Sequence, residues 1–166
     1  MVRIVTLLSN FAERLGIFIV SIYALASFVV VSLEVFSRMA GCAFSWTEEL
    51  ARWLLVATCF IGASVALKHK KHVGVTGLLK KLPEKVQRVV LFGVYAVVIV
   101  FLFYLMMQGL EMALSQGWQT GSVLLVSMVY VRINIPLGAL LMLIHMAYFT
   151  VLLFTEKDLR QASLVE

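Results

Sequence analysis

Leu67-Lys68-His69-Lys70-Lys71-His72-Val73-Gly74-Val75-Thr76-Gly77-Leu78-Leu79-Lys80-Lys81-Leu82-Pro83-Glu84-Lys85-Val86-Gln87-Arg88 lies between two long apolar runs and holds seven of the fourteen Lys and Arg residues of the 166-residue chain. A short basic connection beside spanning helices stays on the cytoplasmic side by the positive-inside rule, so the sidedness of every other segment is counted from it. Composition agrees with spanning helices. Hydrophobic residues make up 62% of the chain and charged residues 14%, with a mean hydropathy of +1.00; a soluble domain carries about 25% charged residues. The net charge of +5 does not indicate a nucleic-acid partner, because the cations sit beside apolar runs and no basic groove with interleaved aromatics is visible. The charge points to membrane lipids instead.

Outward from the connection, the chain divides into four spans. Leu15 to Leu33 is free of charge and long enough to cross a bilayer. Its apolar run exceeds that of a signal peptide, and its one small-residue triplet, Ala24-Leu25-Ala26, lies inside it, so it is expected to remain as a first helix. The spacing of Glu34 and Arg38 favours an ion pair at the outer end of that helix. Ser45-Trp46-Thr47-Glu48 matches a capping box and predicts a second helix over 46–67, about 33 Å long at about 1.5 Å per residue. Arg52 near its start has Glu48 at i,i+4 and Glu49 at i,i+3 as partners, and is long enough to reach the headgroup level. Gly62, Ala63 and Ser64 offer a small-residue surface for another helix, although chance clustering explains them equally well. Val75, Leu78, Leu79 and Leu82 predict a short amphipathic helix at 74–82 on the inner interface, ended by Pro83. A third span covers 89–110.

Glu111 to Gly121 reads as a second outer loop. Val123 to Val131 is apolar yet too short to cross a membrane. It leads through Arg132, Asn134 and Pro136 into a last span expected over 128–154 with a bend near Pro136; a start after Asn134 is the other reading. Eleven Lys and Arg then fall inside and Arg38, Arg52 and Arg132 outside, with both termini cytoplasmic and Trp46, Trp53, Trp118 and Tyr130 near the outer boundary. The expected fold is therefore an all-α integral membrane protein, a single four-helix domain over 1–166. Cys42 and Cys59 differ in membrane depth and are expected to be free thiols.

Chemistry-bearing residues are sparse. His69 and His72 have the spacing of some metal pairs but lack further ligands nearby, so solvated interface residues are the simpler reading. His145 is the one ionisable side chain near the bilayer centre. It suits a neutral helix-packing group better than a proton relay, and no second His stands at matching depth for haem. Neither a metal nor another cofactor is expected, nor an enzymatic activity. An accessory or scaffolding subunit fits this pattern; a membrane anchor of a redox complex and an autonomous small exporter are the alternatives.

The order Arg38, Trp46-Thr47-Glu48-Glu49-Leu50-Ala51-Arg52, Gly62-Ala63, Lys68-His69-Lys70-Lys71-His72-Val73-Gly74-Val75, Leu82-Pro83 and Ile135-Pro136-Leu137-Gly138 resembles the small membrane subunit of tripartite ATP-independent periplasmic (TRAP) transporters across nearly the whole chain. One departure is Thr120-Gly121-Ser122, where that family often has a Ser-Pro or Thr-Pro pair. The resemblance implies a bacterial inner-membrane system in which a periplasmic substrate-binding protein delivers an organic acid, such as a C4-dicarboxylate or sialic acid, to a large sodium-driven, elevator-type subunit. The small subunit would belong to the static frame, with sodium coupling in its large partner. Carried over by motif, Glu49 and Arg52 are the signature pair and Arg38, His72 and Pro136 its supporting positions, with Trp46, Glu48 and Gly62 as further interface candidates.

Overall fold

The computed structural model describes residues 2–69 and 83–155. Its elements are α1 (Val2–Met39), α2 (Ser45–Lys68), α3 (Glu84–Ser115), a single turn α4 (Val129–Arg132) and α5 (Asn134–Thr155). Among the described residues four helical segments are long and apolar enough to cross a membrane, the fourth running through α4 and α5. The protein is thus an all-α, multi-pass membrane protein. The inner-interface helix expected at 74–82, and His72 with it, lie outside the described residues.

α5 is the centre of the bundle: it packs against α1, α2 and α3, and 44% of its spanning window is buried against 11–22% for the others. Two glycines explain how it gets so close. A Cβ on Gly138 would lie 2.7 Å from the carbonyl oxygen of Phe60 in α2, and one on Gly109 would lie 3.1–3.2 Å from Ile135 and Pro136. Gly62, by contrast, faces open space within this chain. One core cluster joins Leu91, Tyr95, Leu102, Met146 and Phe149 between α3 and α5, and another joins Ala12, Ile61 and Leu141 across α1, α2 and α5.

α1 is longer than the charge-free core from which it was inferred. Its 38 residues extend for roughly 57 Å at about 1.5 Å per residue, nearly twice the roughly 30 Å hydrocarbon layer. Ile4, Leu7, Leu8 and Phe11 are exposed, so the apolar face continues to the N-terminal end of the helix.

Two local expectations are corrected. Ser45 is inside α2 rather than capping it: Phe44 holds the cap position without a side-chain hydrogen bond, and Thr47 Oγ1 donates to the Phe44 carbonyl at 2.7 Å. The interruption before α5 falls at Ile133, not at Pro136. Proline has no N–H for the carbonyl four residues back, here Arg132, so the helix breaks there and Pro136 sits within the first turn of α5 where it is tolerated. Asn134 closes the break, its amide donating to the carbonyls of Tyr130 and Val131 at 3.1 Å while its oxygen accepts from Tyr23 on α1 at 3.1 Å.

Candidate functional site

The segment between α3 and α4 folds into a hairpin closed by a Thr120–Ser127 bridge. Gly121 N–H donates to Val126 O at 2.9 Å and Met128 N–H to Gln119 O at 2.9 Å. This accounts for the apolar stretch too short to cross the membrane: it forms one arm of the hairpin and then α4. Arg132 secures the base by donating to the side-chain oxygen of Gln119.

Glu49 holds the tip. The residue is 5% exposed, and its carboxylate accepts from three successive backbone amides, Ser122 at 2.7 Å, Val123 at 3.0 Å and Leu124 at 2.9 Å. Three N–H groups converging on one carboxylate disperse its charge, since hydrogen bonds to an ionised acceptor are shorter and stronger than neutral ones. The arrangement needs glycine at 121. A Cβ there would stand 2.6 Å from the Trp53 ring and 2.8 Å from the Glu49 carboxylate. The Thr120-Gly121-Ser122 departure seen in the sequence is thus the place where the loop descends onto α2.

Glu49 does not pair with Arg52. Arg52 instead faces Glu48 at 3.7 Å, with both side chains more than half exposed. Arg38 meets Glu34 at 2.7 Å, as its spacing suggested, and reaches Glu48 at 3.8 Å, so Glu48 links α1 to α2 at the surface. Trp46 lies beside the Phe44 ring at the same end. The acidic pair is therefore divided: Glu48 serves a solvated ion-pair cluster and Glu49 a buried backbone clamp. Cys42 and Cys59 are both free and exposed.

A second polar joint lies deeper. His145 is fully buried in α5, and its Nδ1 is 2.9 Å from Ser9 Oγ of α1. Lys68 Nζ, at the end of α2, donates to the same Ser9 oxygen at 2.6 Å and stands 3.9 Å above the centre of the Tyr148 ring, a cation–π geometry. Ser9 Oγ accepts from Lys68; where its own hydroxyl donates to His145 Nδ1 the ring proton lies on Nε2, and where Nδ1–H donates to Ser9 instead, Nε2 is an acceptor. Nε2 finds no partner among the described residues. Beside this joint, His69 and Glu13 approach to 3.0 Å. Ser9, Lys68 and Asn134 were not singled out in the sequence, because a serine near a terminus, a lysine in a basic run and an asparagine before proline each have ordinary explanations. Among the described residues no group of three or more His, Cys, Asp or Glu is placed to hold a metal ion.

Comparison with known proteins places these features in context. The family model described as the DctQ component of tripartite ATP-independent periplasmic transporters matches residues 27–156. The sialic acid TRAP transporter small permease protein SiaQ of Vibrio cholerae is 29% identical over 97 residues, covering 58% of this chain and 56% of that protein. A putative TRAP transporter small permease protein of Haemophilus influenzae is 36% identical over 86 residues, covering 51% and 53%. The aligned portion is about half the length of each of these relatives.

Proposed function

Because the chain belongs to the DctQ family of tripartite ATP-independent periplasmic transporter components, we propose that it is the small accessory subunit of a sodium-driven transporter for organic acids, with a large membrane subunit and a periplasmic binding protein as partners. The relative named for sialic acid supports a carboxylate of that kind as substrate. The system sits in the inner membrane of a bacterium, with the ends of this chain cytoplasmic and the hairpin periplasmic. Reporters fused after Lys81 and inserted near Gln116 test that sidedness; a periplasmic signal at Lys81 would overturn it.

One observation carries the accessory role: the buried polar groups of the spans are turned toward one another or toward backbone. Glu49 is occupied by three amides, Asn134 by two carbonyls and Tyr23, and His145 Nδ1 by Ser9, leaving His145 Nε2 as the buried side-chain atom without a partner among the described residues. A substrate or ion path through a membrane is built from polar groups that line a cavity, and in many transporters from paired broken helices. Among the described residues the spans have one break, before α5, and Asn134 bridges it. Gly62, open within the chain, together with the exposed Glu34-Arg38-Glu48-Arg52 cluster, offers the large subunit a close-approach surface and polar contacts.

Deleting this chain should abolish uptake in proteoliposomes while the binding protein keeps its affinity for substrate, and His145→Gln should change uptake modestly with unaltered sodium dependence. A changed sodium stoichiometry in His145→Gln would route coupling through this subunit. Transport by the chain alone would establish an exporter instead. A haem spectrum from the purified protein would establish a redox anchor.

A further inference from the structure

The hairpin held by Glu49 presents an apolar, uncharged tip. Between Glu111 and Arg132 the sequence contains no Asp, Glu, Lys or Arg. Trp118 is 79% exposed, Leu125 and Tyr130 are each 72% exposed, and Val123 and Val126 are also exposed. This exposure is built into the loop. Its base and tip are fixed by the contacts of Glu49 and Arg132, and Leu125 is held at φ 54°, a left-handed conformation that a leucine adopts only under constraint.

Three observations indicate what covers the tip. The amides of Gly121, Ser122, Val123, Leu124 and Met128 are all bonded within the protein. Pairing of this kind lowers the cost of placing the arm below the headgroups, and the amides of Leu125 and Val126, which no bond holds among the described residues, keep the turn itself at the interface rather than in the hydrocarbon core. Next, Phe103, Met107, Leu110 and Leu114 are exposed along α3 at helical spacing, and Trp118 extends that series past the helix end, so the tip continues the exposed apolar surface of a span. Last, Trp118 and Tyr130 flank the apolar arm, and their amphipathic rings favour the headgroup level.

We propose that the hairpin of residues 116–128 lies in the interfacial layer of the bilayer as a wedge, with Val123 to Val126 seated at the boundary between headgroups and acyl chains. Interfacial elements of this kind sit about 5–10 Å into that boundary and bind by apolar area rather than by charge. The wedge fixes how deeply α2 and α5 stand in the membrane, because Glu49 ties its tip to the first turns of α2 and α4 leads directly from its base into α5. The assignment does not depend on the transport role.

Spin labelling of the full chain in phosphatidylethanolamine–phosphatidylglycerol nanodiscs tests it. A nitroxide at Leu125→Cys, with Cys42→Ser and Cys59→Ala, is compared with one on native Cys42 in the connection between α1 and α2. At position 125, collisions with molecular oxygen should dominate and collisions with water-soluble nickel chelate should fall roughly tenfold below those at position 42, as expected for a site inside the interface. Equal nickel accessibility at the two positions would put the tip in water and overturn the proposal. A tip open to nickel that closes only when the periplasmic binding protein is added would also overturn it, as a protein-docking surface. If Leu125→Cys does not assemble, Val123→Cys reports on the same tip.

Discussion

Two buried polar joints of this bundle solve one problem in opposite ways. Glu49 meets backbone: three amides from consecutive residues converge on one carboxylate, so a single side chain shapes a whole hairpin. His145 meets side chains: Ser9 and Lys68 come from two other helices, and one ring nitrogen is left without a partner among the described residues. The first joint is satisfied and local in its effect. The second is only partly satisfied and ties three helices together through one hydroxyl. The cost of removing a polar group follows the number of buried partners it abandons, so the joints should fail very differently.

Glu49→Ala should produce the largest effect. It strands three amides and releases the tip from α2, so exchange at Ser122, Val123 and Leu124 should quicken by on the order of tenfold or more in hydrogen-exchange mass spectrometry. Unchanged protection at these amides would show that the β-bridge alone holds the hairpin. Gly121→Ala attacks the same joint sterically. The new methyl meets the Trp53 ring and the Glu49 carboxylate, and overpacking of this kind costs about 1–3 kcal/mol, measurable as a lower midpoint of thermal unfolding in detergent.

At the deeper joint, the effect should be smaller and the signature more specific. Hydrogen bonds between membrane helices contribute about 0.6 kcal/mol on average and up to about 1.7 kcal/mol, so Ser9→Ala should destabilise by roughly that range. The sharper measurement is the ring itself. Nitrogen-15 NMR of labelled His145 should show the proton on Nε2 while Ser9 donates to Nδ1, and Ser9→Ala should disturb that tautomer. A proton found on Nδ1 in the unmodified protein would reverse the donor order.

The contrast also explains what could be read before the fold was in hand. Spans, the basic connection and the Glu34–Arg38 pair follow from hydropathy and i,i+4 spacing, which are local rules. The partner of Glu49 could not be found in that way, because it is backbone 73 to 75 residues away and a backbone amide has no residue-type signature. The pattern around Ser45 misled for a related reason. Its glutamate matches a capping box, yet Glu48 is drawn to Arg38 and Arg52 and leaves the helix start uncapped. His145 was recognisable as the lone central ionisable group, but nothing in the sequence tied it to Ser9 or to a lysine that reads as part of a basic run. Asn134 was overshadowed by Pro136, although its amide is the group that bonds the Tyr130 and Val131 carbonyls at the break before α5.

The smallest expected effect separates the two neighbouring glutamates. Arg52 is 69% exposed along its side chain and touches Glu48, itself 56% exposed, at 3.7 Å. Such a pair is worth about 0–1 kcal/mol, because solvent screens the attraction and two long side chains lose freedom to make it. Arg52→Ala should therefore leave the isolated subunit nearly as stable as before and leave exchange at Ser122, Val123 and Leu124 unaltered. A double-mutant cycle between Glu49→Gln and Arg52→Ala should give a coupling close to zero, since the Glu49 oxygens are already occupied by amides. Substantial coupling would mean that the guanidinium supports the clamp after all. Loss of assembly with the large subunit, against an unchanged stability of this chain, would instead assign Arg52 to the surface between the two proteins.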